Sequence, residues 1–459
     1  MRGAKSSRPA VAKTDNAKPA SRACHGSPIT TAAIAKPSAG RESLGLRDPF
    51  ATNNTAAIAA ARNTDGDGRT SAIKLAKNIA VAPKRHLMER IKNCIAHKTK
   101  AETIPQAAPI KVIPNRIKFG VININHPHIY GMTEAIKRGG GELVALYAKE
   151  PNLVADFLKS FPEAKLAKDE KEILEDPNIQ LILSSGIPDE RAPLGIRAMQ
   201  HGKDYLTDKP GIITLEQLAA VRKVQKETKR IFSIMYSERL ENKGTEMASQ
   251  LVKAGAIGNV IQTINLAPHR INNSIGKTGL AVRPDWFFDK KRYGGILTDI
   301  GSHQFDQYLH FTQSTEAQVL MSQVGNVHYP QYPNFEDFGD VMLQGNGGAG
   351  YIRVDWFTPD GLSSWGDGRL TILGTDGYIE VRKNIDVSSG HKGGNHLYMT
   401  DKKEMRYIDC NNVELPFGPL FVDDVINRTE TAMSQAHCLL ATELALKAQK
   451  MAKPLILKK

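Results

Sequence analysis

The chain has 459 residues and a formal net charge of +13, long enough for about three domains and basic enough to suggest nucleic acid or a membrane surface as a partner. Twenty Lys and Arg against seven Asp and Glu precede Arg116, so the whole excess sits on an N-terminal arm and the remainder is balanced. The arm has few aromatics to stack bases, and no run of 18 or more apolar residues occurs anywhere, which argues against nucleic acid binding and against a membrane span.

Residues 1–115 are rich in Ala, Lys, Pro, Ser and Thr and poor in large apolar side chains, and they read as a disordered basic extension. The start lacks an apolar core of signal-peptide type, so the expected location is cytoplasmic. Cys24, Cys94, Cys410 and Cys438 are scattered with no CxxC pair, so neither a disulfide framework nor a metal site is expected.

Order begins near Arg116. Ile117–Ile122 reads as a buried strand, followed by a polar turn, Asn123 to His128, and a helix over Ile129–Arg138 stopped by Gly139-Gly140-Gly141. Strands follow at Glu142–Tyr147, Ile179–Ser184, Asp204–Thr207 and Arg230–Met235. Helices lie between them at Leu153–Ser160, Glu170–Glu175, Ala192–Gln200 and Leu215–Glu227. This alternation predicts a parallel sheet covered by helices on both faces over residues 116–237.

In such a sheet the first strand-to-helix turn holds a dinucleotide pyrophosphate and carries GxGxxG. Here Asn123, Asn125 and His128 stand at the three glycine places. Asn is the best substitute at positive φ, so Asn123, Ile124, Asn125, His126 and His128 remain candidates for contact with a cofactor. Ser184 and Ser185, at the end of the third predicted strand, join them. The second strand should be followed by an acid that binds the adenosine ribose; the place falls near Ala148, beside Lys149, which leans toward a 2′-phosphate and NADP rather than NAD. A surface lysine is the alternative. Further along, Asp208-Lys209-Pro210-Gly211 ends the fourth strand, where cofactor sites of open sheets lie.

Residues 238–459 have another texture. Strands are expected at Val260–Leu266, Val319–Val327, Val341–Gln344, Gly350–Trp356, Leu370–Leu373, Tyr378–Val381, His396–Met399 and Met405–Ile408, several joined by Asn-Gly or Asp-Gly turns. They predict a large open, mainly antiparallel sheet, with a last helix over Asp423–Ala452. Between Ala267 and Tyr293 runs a long polar loop with His269, Arg270 and Trp286; Trp286 either stacks on a sugar ring or anchors the loop to the core. Tyr236 and Glu238 are further pocket candidates. After Gly294-Gly295, a helix from Thr298 aligns Asp299, His303, Asp306 and His310 at helical spacing. Such a stripe is ordinarily a solvated face.

Together, Asp208-Lys209-Pro210, Ala254-Gly255-Ala256-Ile257-Gly258 and Gly294-Gly295 followed by Asp299-x-Gly301-x-His303 resemble the Gfo/Idh/MocA oxidoreductases, over roughly Arg116 to Lys459. The glycine-poor first turn and the missing ribose acid depart from that family. The resemblance implies an α/β protein with a Rossmann-type sheet and a second α+β domain whose sheet pairs with another subunit. It implies NAD or NADP as cofactor, and Lys209, Asp299 and His303 meeting over the nicotinamide. His303 would serve as base, near its working pKa, and Lys209 as electrostatic partner, while Asp299 orients a hydroxyl or the imidazole. The expected activity is hydride transfer to or from a secondary alcohol of a sugar, cyclitol or glycoside. A non-catalytic sensor on the same fold, and a lyase or glycoside hydrolase that recycles tightly bound NAD, are the alternatives.

Overall fold

The computed structural model describes residues 114–271, 283–391 and 393–457; the N-terminal arm and part of the long polar loop lie outside the described residues. Six parallel strands form the first sheet: β1 (Ile117–Ile122), β2 (Gly141–Tyr147), β3 (Lys165–Leu166), β4 (Leu181–Ser184), β5 (Asp204–Asp208) and β6 (Phe232–Met235). Their spatial order is β3-β2-β1-β4-β5-β6, so the direction of winding reverses between β1 and β4. β4, β5 and β6 are buried at every residue, as strands covered by helices on both faces must be. Helix α1 (His128–Arg138) follows β1 and helix α2 (Pro151–Ser160) follows β2.

The second sheet has nine strands. Those used below are β7 (Val260–Pro268), β8 (Ala317–Gly325), β9 (Phe338–Gly345), β10 (Gly348–Asp355), β11 (Arg369–Gly374) and β12 (Gly377–Arg382). The sheet is mainly antiparallel, but β7 pairs with β10 in parallel at its centre. A short helix, α3 (Ser237–Leu240), leads from β6 toward this part, and α4 (Lys243–Lys253) continues it.

The helix expected from Thr298 is two helices, α5 (Ile296–Asp299) and α6 (Gly301–Thr312), joined at Ile300, which itself keeps helical angles. Its Asp-His-Asp-His stripe is not a solvated face. Asp306 is fully buried and accepts two hydrogen bonds from Arg239, at 2.6 and 2.7 Å, and one from His437. His310 bonds Ser249 at 2.9 Å. These residues tie α6 to α3, α4 and the C-terminal helices, because a buried carboxylate is tolerated only when paired.

The single helix expected over Asp423–Ala452 is also two, α7 (Phe417–Asn427) and α8 (Gln435–Met451). Arg428 turns left-handed after α7. The Asp424 carboxylate then gathers the amides of Thr431 and Ala432 and the hydroxyls of Thr429 and Thr431, and Ser434 caps α8. Short polar side chains win the backbone locally here, against helical continuity. α8 binds the two sheets together: Gln435 accepts from the Phe232 amide in β6, and Ser322 in β8 donates to the Ala448 carbonyl.

His303 is buried, and His269 and His310 are mostly enclosed. Burial, the largest cause in each case, lowers the three pKa values to about 3, 4 and 3. An unfolded histidine titrates near 6.5, so below that pH the unfolded chain takes up protons that the folded chain refuses. Stability is therefore complete above pH 6.5 and falls as the pH drops toward 4. Urea denaturation at pH 7 and pH 5 should show a loss of roughly 1–2 kcal/mol for each of these histidines. His310→Asn should flatten that slope by about one proton; a slope indifferent to the substitution would show that His310 is not held neutral.

Candidate active site

Asn123 follows β1 with φ +62°, the left-handed angle that a first glycine normally supplies. Its carbonyl accepts from the Ser185 amide at 3.0 Å, locking this turn to the one after β4. Ile124 and Ser184 are buried, and the Ser185 hydroxyl donates to the His126 carbonyl at 2.7 Å. The Asn125 amide is turned onto Glu150 at 2.8 Å. Glu150 lies just beyond the place near Ala148 where an acid was sought, immediately before α2; its second oxygen, Oε2, is buried with no hydrogen-bond partner. Lys149 is exposed. Helix α1 starts with no side-chain cap and no acid in its first turn.

The last part of the turn meets the end of β5. Asp208 is fully buried and stands 3.0 Å from Nδ1 of His126 and 2.8 Å from Nδ1 of His128. Its carboxylate is held well below the usual range: desolvation by burial, the largest influence, opposes this and is outweighed by His128, Arg191 and His126. The next residue, Lys209, sends its ammonium to Oδ1 of Asp299 at 2.9 Å, with both side chains buried. The Lys209–Pro210 peptide is cis.

Lys209 borders a cavity of about 380 Å³ that takes walls from both domains. His126, His128 and Lys209 come from the first; Glu238, His269, His303 and Lys383 from the second. Glu238 follows β6 on α3, and its Oε2 accepts from Lys383 and Gln304, both at 2.8 Å. Burial raises the Glu238 pKa, but Lys383, His303 and His269 outweigh it and hold the carboxyl well below the usual carboxylate range. Its Oε1 has no hydrogen-bond partner and lies 3.9 Å from His269. Nδ1 of His303 is likewise buried and unpartnered. Phe287, Trp356 and Trp365 form an aromatic wall; the His269 ring lies 4.7 Å from Trp365 and 5.5 Å from Trp356. A larger groove, of about 530 Å³, runs along β2 and β3 but contains none of these groups.

Two expectations change. His303 is not poised near neutrality: burial lowers its pKa to about 3, against a raising influence from Glu238. It is a neutral imidazole throughout the physiological range. Asp299 is engaged with Lys209 rather than with the imidazole.

Of the other candidates, His269 and Arg270 line the cavity and Tyr236 and Trp286 do not. The Tyr236 hydroxyl faces α8, bonding Thr442 at 3.1 Å and the Cys438 carbonyl at 3.3 Å. Trp286 packs beside Phe287 against the core, and its neighbour takes the place in the wall. Lys383, Trp356 and Trp365 were not singled out from sequence. Lys383 and Trp356 directly follow strands of the second sheet, Trp365 lies in the loop between β10 and β11, and nothing local marks them.

The description "Oxidoreductase family, NAD-binding Rossmann fold" matches residues 119–236, and "GFO/IDH/MocA C-terminal domain" matches residues 245–380. A crystal structure from Erwinia carotovora atroseptica SCRI1043, named as a candidate oxidoreductase, is 45% identical with a TM-score of 0.70, covering 74% of this chain and 100% of that one. Scyllo-inositol 2-dehydrogenase (NAD(+)) of Bacillus subtilis (strain 168) is 25% identical over 219 residues, 47% of this chain and 59% of that protein. The NADP(+) form from the same organism is 25% identical over 197 residues, 42% of this chain and 52% of its own. The chain thus spans between half and three-fifths of these curated relatives. With both halves matched in order and a solved protein covered from end to end, the chain belongs to the Gfo/Idh/MocA family of oxidoreductases.

Proposed function

We propose that the chain moves a hydride between NAD or NADP and a secondary alcohol of a sugar, cyclitol or glycoside. Residues 116–237 would take the nucleotide and residues 238–459 the substrate. The observation that carries this proposal is the convergence of Lys209, held by Asp299, and His303 on one aromatic-walled cavity.

The cofactor seat fits a dinucleotide. Asn123 provides the positive φ, and the uncapped start of α1, free of acids, offers its positive end to an anion. Glu150 Oε2, buried and unpartnered near the end of β2, suits a ribose hydroxyl. It reverses the lean to NADP drawn from Ala148 and Lys149, because a carboxylate repels a 2′-phosphate.

Bound nicotinamide would supply the hydride acceptor. The protein must then receive the proton from the alcohol oxygen and stabilise the charge left there. His303 is already neutral and lines the cavity, and the nearby Glu238 carboxylate favours the proton once it arrives. The Lys209 ammonium, held by Asp299, faces charge developing on the oxygen. Phe287, Trp356 and Trp365 suit the apolar face of a sugar ring, while Glu238 Oε1 accepts from a hydroxyl.

The sheet face turned away from the helices carries exposed Ile261, Leu320, Met342, Leu373 and Tyr378, spread over β7, β8, β9, β11 and β12. This supports a homo-oligomer that covers it. Light scattering should give a mass of two or more chains, and a monomer at micromolar concentration would exclude that assembly.

With a panel of sugars and cyclitols followed by nicotinamide absorbance, His303→Ala and Lys209→Ala should each lower turnover by about 10². Full turnover in both would remove them from the chemistry. Glu150→Ser should cut the preference for NAD over NADP by about ten-fold, read from the two dissociation constants; an unaltered ratio would release Glu150 from the ribose.

A further inference from the structure

The first turn and the end of β5 build a second constellation, next to the dinucleotide seat. His126 and His128 flank Pro127 ahead of α1, and Asp208 faces both. One ligand atom of each of these three residues lies within 4.8 Å of those of the other two. We propose that His126, His128 and Asp208 bind a single divalent first-row transition metal ion, such as Zn²⁺, Mn²⁺ or Fe²⁺, at the edge of the cavity.

Two imidazoles and one carboxylate are a donor set that such ions accept, and one that leaves coordination positions open. Ligand atoms around a four-coordinate ion stand roughly 3.4 Å apart, given metal–ligand distances of ~2.0–2.2 Å. The observed separations of 3.0 and 2.8 Å, from Asp208 to His126 and to His128, are shorter than that, and Nδ1 of His126 also faces the His128 amide at 3.4 Å, so both rings must shift to admit an ion. Both rings line the cavity, and Asp208 does not. The open positions of the ion therefore face the space in which a substrate would lie.

The surrounding charges permit this. Arg191 approaches Asp208 Oδ2 at 3.3 Å, but its guanidinium is also held by the carbonyls of Gly186, Asp208, Lys209 and Pro210. Lys209 donates its backbone amide to Asp208, and its ammonium is committed to Asp299. His126 is held neutral, chiefly by burial and then by His128, and only the neutral ring can ligate. The rigid Pro127 between the two rings reduces what remains to be ordered on binding. This inference does not depend on the proposed dehydrogenase activity.

The test is titration of Co²⁺ into the untagged full chain after dialysis against a chelator, read by visible absorption and by elemental analysis, with Zn²⁺ as competitor. About one Co²⁺ per chain should bind with a dissociation constant below ~100 µM, with d–d bands of nitrogen and oxygen ligation, and Zn²⁺ should displace it. His128→Ala and His126→Ala should each weaken binding about ten-fold or more, while His201→Ala, at an exposed histidine that bonds only the Arg197 carbonyl, should not. Circular dichroism of each variant separates lost folding from lost ligation. Wild-type protein with no stoichiometric Co²⁺ or Zn²⁺, or folded His126 and His128 variants that bind as tightly as wild type, would overturn the proposal. NADH binding, measured separately by fluorescence, tells failure of this site from failure of the dinucleotide seat.

Discussion

The buried pair between Lys209 and Asp299 joins the end of β5 in one sheet to α5, which packs on the other. At 2.9 Å in a site nearly closed to water, each charge is tolerable only because the other is present. Taking either partner away would leave an uncompensated ion, at a cost of about 3–5 kcal/mol. The pair therefore fixes how the two sheets face each other over the cavity, as well as where an ammonium stands within it.

The same rule organises the rest of the interior around the site. Glu238 is divided: one oxygen is saturated by Lys383 and Gln304, and the other is left facing the cavity. Arg239, on the next residue, carries the opposite duty, neutralising Asp306 with His437 beneath α6. Adjacent positions on one short helix thus separate a group held for a ligand from a group held for the fold. Among the unpartnered buried atoms of the described residues, Glu238 Oε1, Arg270 Nε, His303 Nδ1 and Trp356 Nε1 lie on residues that border the cavity. Buried polar atoms are seldom left unsatisfied, so a cluster of them beside one cavity sets that cavity apart from the rest of the interior.

Histidine is used in two opposite ways. His303 and His310 are kept neutral by burial, and one is left free while the other is bonded to Ser249. His126 and His128 gather around a carboxylate that remains ionised. The residue type alone did not separate these cases; the partner each ring meets did.

The alternation of apolar runs and helical stretches was enough to determine the parallel sheet and the hairpin-rich second half, because a strand buried on both faces and a strand buried on one leave different periodicities in the chain. Asn123 at positive φ, and the three short motifs that carry the family resemblance, were legible for the same local reason. The meeting of Lys209 with Asp299 came from that resemblance, since no periodicity links residues 90 apart. Tertiary structure alone decided where side chains point. It turned the Tyr236 hydroxyl to α8, put Phe287 rather than Trp286 in the wall, broke the last helix after Asn427, left Glu150 Oε2 without a partner, and brought His126, His128 and Asp208 together. Each of these outcomes is set by packing and by hydrogen bonds to distant partners, and a one-dimensional pattern carries no record of direction across the fold.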